Sequence, residues 1–187
     1  MRSSLPVQAI HEAAHFVVNY RLGFLKATLV TLIPDYFGND EGHVHLEHPS
    51  CYGEKAAPAY EAYIIVLLAG YAANVYADDD PLNEELYRSG ASSDFTVARH
   101  YAGLFASNET GKENVLRRCR ESAARLVEEH WEEIEELAQE LLRYHWFRAE
   151  EAMIIVDMVA GKASSDSLAQ YRRTYRGQFL RRPPGRD

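Results

Sequence analysis

The sequence predicts a mostly α-helical domain of the α+β class, with a small β-sheet near the N-terminus. Long stretches carry apolar side chains at helical spacing, whereas strand-like segments are confined to residues 27–46. The chain has 187 residues, which suits one well-cored domain better than two. Apolar residues make up 47% and charged residues 26%, and both values are ordinary for a soluble globular protein.

The first predicted elements are a helix and a hairpin. Residues 7–21 are predicted to form the helix, because Pro6 stands near its start and Gly23 just past its end. Residues 27–33 are rich in Thr, Val, Leu and Ile, which favours a strand. Turn-forming residues follow, and residues 43–46 are then predicted to return as a second strand.

The remainder is predicted to contain four helices, over residues 59–77, 94–106, 113–143 and 148–160. Residues 78–91 are polar and acidic, and we expect them to be mainly an irregular connection. The longest apolar run, residues 62–73, is shorter than the roughly 20 residues that cross a bilayer. We therefore predict a buried core helix there and no membrane span.

The charge is unevenly distributed. The net charge is −8, which argues against nucleic acid as the main partner. Residues 171–187, however, contain six Arg and one Asp. We expect residues 1–161 to form the domain and residues 162–187 a basic tail, which is solvated, folds onto the domain or meets an acidic partner. Residues 171–187 are expected to be dispensable for folding and metal binding.

The cellular compartment is predicted from two weak features. No apolar signal-peptide segment follows the N-terminal Arg2. Cys51 and Cys119 are far apart and have no metal-binding spacing, which fits a reducing compartment. The sequence therefore predicts a cytoplasmic protein.

The main chemical motif is His-Glu-Ala-Ala-His, residues 11–15, within the first predicted helix. His11 and His15 are four residues apart, so they share one helix face and can bind one metal ion. Two imidazoles and a carboxylate suit zinc and leave a fourth position for water. Glu12 on the adjoining flank is placed to act as general base towards that water.

This motif alone is only suggestive. Two semi-exposed histidines and a surface Glu on a helix would give the same pattern. The surrounding residues Ile10, Ala14 and Val17 form an apolar face, which argues against that alternative. A metal centre also needs a third protein ligand.

The chain resembles the peptidase domain of the FtsH-type ATP-dependent zinc metalloproteases. Its motif is similar to that family's His-Glu-Ala-Gly-His. The resemblance continues over the strand pair at residues 30–34 and 42–44, the small-residue helix at 67–73, and the Gly-Ala-Ser-Ser-Asp segment at 90–94. It covers roughly residues 8–160. It implies a helical metallopeptidase fold in which the sheet lies next to the zinc-binding helix.

The resemblance implies that Asp94 is the third zinc ligand, since it stands where the family's Gly-Ala-x-x-Asp segment has its ligand. A first-turn Asp that interacts favourably with the helix dipole is the simpler alternative. The rival ligands lie in the acidic stretch before it: Asp78, Asp79, Asp80, Glu84 and Glu85. The family's Gly-Arg-Ala-Ala-Glu-Glu becomes Gly-Tyr-Ala-Ala-Asn-Val here, residues 70–75, so its acidic pair is lost.

Other residues carry weaker signals. His43 and His45 share one strand face, where they would contact a substrate or a second metal, or simply be exposed. The exposed face is the expectation. Tyr71 could stabilise an oxyanion, although a buried aromatic role is the simpler interpretation. His100 and His145 are expected to be surface or packing residues.

These observations predict a zinc metallopeptidase with His11, His15 and Asp94 as ligands and Glu12 as general base. The 187 residues contain no ATPase module, so the expected substrates are peptides or unfolded segments. One alternative is a non-catalytic zinc-containing module that binds a peptide or partner protein, and another is hydrolysis of a non-peptide amide. The family assembles as a hexameric ring, so a homo-oligomer is possible here.

Overall fold

A computed structural model of the protein describes residues 6–33, 42–50, 53, 56–78 and 84–176. It contains a helical body and one three-stranded antiparallel sheet, so the predicted fold class is confirmed. The elements in chain order are α1 Val7–Leu22, β1 Ala27–Thr31, β2 His43–Leu46, α2 Ala56–Ala77, α3 Glu84–Gly90, α4 Ser92–Ala102, α5 Glu109–Glu129, α6 Trp131–Tyr144, β3 Trp146–Arg148, α7 Ala149–Val159, α8 Ser165–Tyr171 and a π-helical turn Arg172–Arg176.

Helix α1 confirms the first prediction almost residue for residue. Pro6 stands immediately before it. Gly23 ends it in the left-handed conformation, with φ 68°, and its N–H donates to the carbonyl of Asn19 over 3.0 Å. Most of the helix is buried against α2 and α6. The helix is therefore fixed along its length by core packing.

The sheet has the strand order β2-β1-β3. The predicted hairpin is confirmed, with Thr31 opposite His43 and Val30 opposite Val44. Strand β1 ends at Thr31, two residues earlier than expected. Strand β3 was not predicted, because three residues are too few to show a strand pattern. Among the described residues, no strand pairs with the outer edge of β2.

Helix α2 lies at the centre of the domain, against α1, α4 and α5. Side chains such as Ile64 and Leu68 are fully buried, and each contributes about 1.5–3 kcal/mol through the hydrophobic effect. Within the described ranges, α2 is the one helix long and apolar enough to cross a membrane by length and composition. Its packing inside the domain accounts for the same composition.

Two of the helical predictions were wrong in detail. Residues 84–90 form helix α3, although the acidic stretch was expected to be irregular. The single helix expected over residues 113–143 is two helices, α5 and α6, separated at His130. No Gly or Pro marks this break, and the apolar spacing continues across it. Acidic Glu132 and Glu133 in the first turn of α6 stabilise the new helix start.

The C-terminal region folds onto the domain as far as the structure describes it. Helix α8 buries Leu168, and the turn that follows places Arg172 between two buried carboxylates. Arg172 Nε donates to Glu151 over 2.8 Å, and a terminal nitrogen donates to Glu140 over 2.5 Å. The guanidinium also lies 4.5 Å from the ring centroid of Tyr144. Of the three alternatives left open for the basic tail, folding onto the domain is the one that Arg172 follows.

We expect truncation after residue 170 to destabilise the domain by about 3 kcal/mol, because it removes the cation that buried Glu140 and Glu151 share, although Glu140 keeps its bond to Arg143. Truncation after residue 176 keeps Arg172 and serves as the matched control. Urea unfolding of both truncated proteins and the full chain measures the difference. Equal unfolding free energies for all three proteins would show that the Arg172 ion pairs contribute nothing.

Candidate metal centre

Helix α1 presents the three residues of the motif towards α2 and the start of α4. His11 and His15 are one turn apart, and their ring centroids are 4.5 Å apart at an angle of 87°. The two Nε2 atoms are 2.9 Å apart. Glu12 is buried, with 4% of its surface exposed. The helical spacing thus places both imidazoles at one point, as the sequence predicts.

Asp94 joins this pair from the first turn of α4, 83 residues further along the chain than His11. Its Oδ2 atom lies 3.1 Å from His11 Nε2 and 3.4 Å from His15 Nε2. One ligand atom from each of the three residues lies within 4.8 Å of the others, so this buried group could hold a metal ion. The structure therefore brings together the three residues that the sequence selects.

The other carboxylates proposed from the sequence are placed differently or not described. Asp78, just after the end of α2, accepts a hydrogen bond from the hydroxyl of Tyr87 in α3. Asp79 and Asp80 lie outside the described residues, and for Glu84 and Glu85 only the backbone is described. Among the described residues, His11, His15 and Asp94 are the one group of three or more such side chains close enough to share an ion.

The ring of His15 has a defined tautomer. Its Nδ1–H donates to the carbonyl oxygen of Val66 in α2 over 2.6 Å. In the neutral ring this bond leaves the Nε2 lone pair free to bind a metal. The backbone of α2 therefore orients one of the candidate ligands.

Electrostatics hold the site together before any metal binds. Burial alone would lower the pKa of His15, but the hydrogen bond and charge of Asp94, with the charge of Glu12, raise it to about 9. Burial alone would raise the pKa of Asp94, but its hydrogen bonds with His11 and His15 hold it well below the ordinary value. A metal ion would therefore meet an ionised carboxylate and would displace the proton of His15 on binding.

Gly70 of α2 makes room for the ring of His11. A Cβ atom at this position would lie 2.5 Å from Cε1 of His11, closer than side-chain atoms approach one another. The ring therefore packs directly on the backbone of α2. The small residue that the sequence shows in this helix makes room for the ring of a candidate ligand.

We expect Gly70→Ala to weaken metal binding by roughly tenfold or more, because the displaced ring shifts a ligand atom. Ala favours a helix over Gly by about 1 kcal/mol, and this gain could offset the cost of displacing the ring in a measurement of folding stability. Zinc titration of the purified protein is therefore the measurement. Gly90→Ala is the control, since a Cβ there meets nothing within 4 Å. Unchanged affinity in Gly70→Ala would contradict the role given to Gly70.

A cavity of about 600 Å³ opens over the three ligands. Strand β2 forms one wall, and Tyr63, Val66 and Leu67 of α2 form part of another. Glu12 also lines the cavity, beside the ligand atoms of its neighbours. The arrangement gives a small molecule or a peptide access to the candidate metal position and to the carboxylate of Glu12.

His43 and His45 both line this cavity; His45 is exposed, as expected, whereas His43 is half-buried. His45 Nδ1 lies 2.7 Å from the hydroxyl oxygen of Thr28. His43 Nδ1 is buried without a hydrogen-bond partner among the described residues. Nothing supports the alternative in which they bind a second metal, because neither histidine belongs to a further group of candidate ligands in the described part of the chain.

Tyr71 packs in a separate buried cluster with Tyr87, Ala91 and Phe95, which supports the packing interpretation over the oxyanion one. Tyr63 lines the cavity instead and was not selected from the sequence. It lies seven residues before Gly70, two helical turns away on the same face of α2. The sequence carries no signal for Tyr63, because only the structure shows that the face of α2 with Gly70 lies against His11.

No protein-family model matches the chain, and the search of curated proteins found no match. The resemblance to the FtsH-type peptidase domain therefore stays a prediction from the motifs.

Proposed function

We propose that the protein is a zinc-dependent metallopeptidase. The observation that carries this proposal is the meeting of His11, His15 and Asp94 beside Glu12 in one open cavity. Tetrahedral zinc with bonds of about 2.0–2.2 Å has ligand atoms about 3.3 Å apart. The three separations here, 2.9, 3.1 and 3.4 Å, bracket that value. The donor set of two imidazoles and one carboxylate leaves one coordination position for chemistry.

Zinc, when bound, lowers the pKa of a coordinated water towards neutrality and polarises a carbonyl group. Glu12 accepts a proton from the attacking water at its carboxylate and later donates it to the departing amine. Glu12 is 4% exposed and lines the cavity beside His11 and His15, so its carboxylate adjoins the proposed metal position. His11, His15 and Asp94 serve only to hold the metal in place.

The cavity wall suggests how a substrate is held. Among the described residues, β2 is an edge strand, and all of its residues line the cavity. An extended peptide can pair with such an edge through its main chain, which presents a carbonyl without requiring a particular sequence. The substrate class proposed is therefore peptides and unfolded protein segments, consistent with a cytoplasmic role.

Tyr63 is proposed to donate a hydrogen bond to the substrate carbonyl oxygen. Its ring contacts Tyr101 edge-on, with centroids 5.2 Å apart, and Tyr101 stacks in turn on Tyr60. Burial, helped by the neighbouring Tyr101 and Asp94, raises the pKa of Tyr63. The hydroxyl therefore keeps its proton at neutral pH, as a hydrogen-bond donor must.

We expect the zinc-loaded protein to cleave casein, an unfolded protein, and to stop doing so when a chelator removes the metal. Adding zinc should restore cleavage, which is followed by the release of soluble peptides. A tightly folded protein in the same assay is the control, and it should stay intact because pairing with the edge of β2 requires an extended segment. Firm zinc binding without cleavage of casein or short peptides would favour the non-catalytic binding module or an enzyme for another amide.

A further inference from the structure

Asn74, on the buried face of α2, lies behind the ring of His11. It is 4% exposed, and its Nδ2 atom is 3.4 Å from His11 Nδ1, the ring nitrogen on the side away from Asp94. Its carbonyl oxygen Oδ1 is buried without a hydrogen-bond partner among the described residues. An orphaned buried oxygen costs about 1–3 kcal/mol, so a neighbour that can donate to it is expected.

The ring of His11 becomes such a donor when its Nε2 binds a metal. A neutral imidazole that binds metal through Nε2 carries its proton on Nδ1. The amide nitrogen of Asn74 cannot accept that proton. A half-turn of the amide exchanges its oxygen and nitrogen in nearly the same space, and it brings Oδ1 to Nδ1.

We infer that Asn74 is a positioning residue for the metal centre, accepting a hydrogen bond from His11 Nδ1–H through its amide oxygen. This arrangement matches the bond from His15 Nδ1–H to Val66, so α2 orients both histidine ligands from behind. Gly70, one turn before Asn74, sets how close the His11 ring lies to this helix. The role requires an acceptor oxygen at this position but no charge.

The inference rests on the metal centre of the proposed function and not on catalysis. It is tested by zinc titration of the wild type, Asn74→Leu and Asn74→Asp without any substrate. Asn74→Leu keeps the size and removes the acceptor, so we expect zinc affinity to fall about 10–100-fold. Asn74→Asp keeps an acceptor and removes the donor, so its affinity should equal or exceed that of the wild type.

Two further measurements separate positioning from folding. In the zinc-loaded wild type and in Asn74→Asp, nuclear magnetic resonance should show a His11 Nδ1–H that exchanges slowly with water. In Asn74→Leu this exchange should be fast. Thermal melting of the metal-free proteins should show that Asn74→Leu still folds. If Asn74→Leu does not fold, the zinc affinity and the Nδ1–H exchange of Asn74→Asp test the inference without it.

The inference is overturned if Asn74→Leu binds zinc within about threefold of the wild type, or if Asn74→Asp loses affinity. The second result would mean that Asn74 acts as a donor. A wild type that binds zinc and shows the predicted pattern, yet cleaves nothing, would overturn the peptidase proposal and leave this inference standing. A wild type that binds no zinc would overturn both.

Discussion

Replacing Glu12 by Gln is expected to lower the rate of peptide cleavage by about 10²–10⁴-fold, because an amide cannot accept the proton of the attacking water. Zinc affinity should stay nearly unchanged, since the three ligand atoms come from other residues. The Gln side chain has almost the same size and can occupy the same buried position. Cleavage of casein and zinc titration on the same preparation measure the two effects.

Glu121→Gln is the control for Glu12→Gln. Glu121 is an exposed residue of α5 that pairs with Arg117 one helical turn away, and it does not line the cavity. Its replacement should leave both cleavage and zinc affinity as they are. If Glu12→Gln cleaves casein as fast as the wild type, the proposed general base is wrong.

Replacing Asp94 by Asn is expected to weaken zinc binding by more than about a hundredfold. Removing a group that merely supports a ligand already costs about 10–100-fold, and Asp94 is itself placed as a ligand. A neutral amide oxygen is a poorer ligand for zinc than a carboxylate. Cleavage should be lost in parallel at limiting zinc, in contrast to Glu12→Gln, where only cleavage is lost.

Asp78→Asn is the matched control for Asp94→Asn, because Asp78 was a rival ligand in the sequence. Its carboxylate accepts a hydrogen bond from Tyr87 and belongs to no ligand group among the described residues. Zinc affinity should therefore survive this change. Full affinity in Asp94→Asn would mean that the third ligand lies elsewhere, and the acidic residues near Asp78 would be the first to test.

The parts of the fold that were predicted correctly are those whose signals lie in the local sequence of each element. Pro6 and Gly23 mark the ends of α1, and β-branched residues mark β1. The spacing of His11 and His15 places both ligands on one face for the same reason. Such features depend on the local backbone period, which the sequence displays directly.

The parts that were missed depend on packing between distant segments. The break at His130 carries no Gly or Pro, and α3 forms in a stretch whose acidic composition suggested an irregular connection. Asp94 meets the motif across 83 residues, and only the family resemblance indicated it. Tyr63 and Asn74 reach the site because the face of α2 that contains Gly70 lies against α1, and the sequence alone does not orient that face.

The three proposed ligands are held by different elements of the fold. His11 and His15 come from α1 and are supported from behind by α2, whereas Asp94 stands at the start of α4. Helix α2 contacts both α1 and α4, so the central core helix connects all three ligands. Changes in the packing of α2 should therefore alter metal binding even where no ligand is touched.

The central claim is that His11, His15 and Asp94 bind one zinc ion together. Anomalous X-ray diffraction at the zinc absorption edge, on crystals grown with zinc, tests this claim most directly. The account predicts one strong peak per chain, about 2.0–2.2 Å from Nε2 of both histidines and from a carboxylate oxygen of Asp94. A peak at other residues, or no peak in this cavity at saturating zinc, would contradict it.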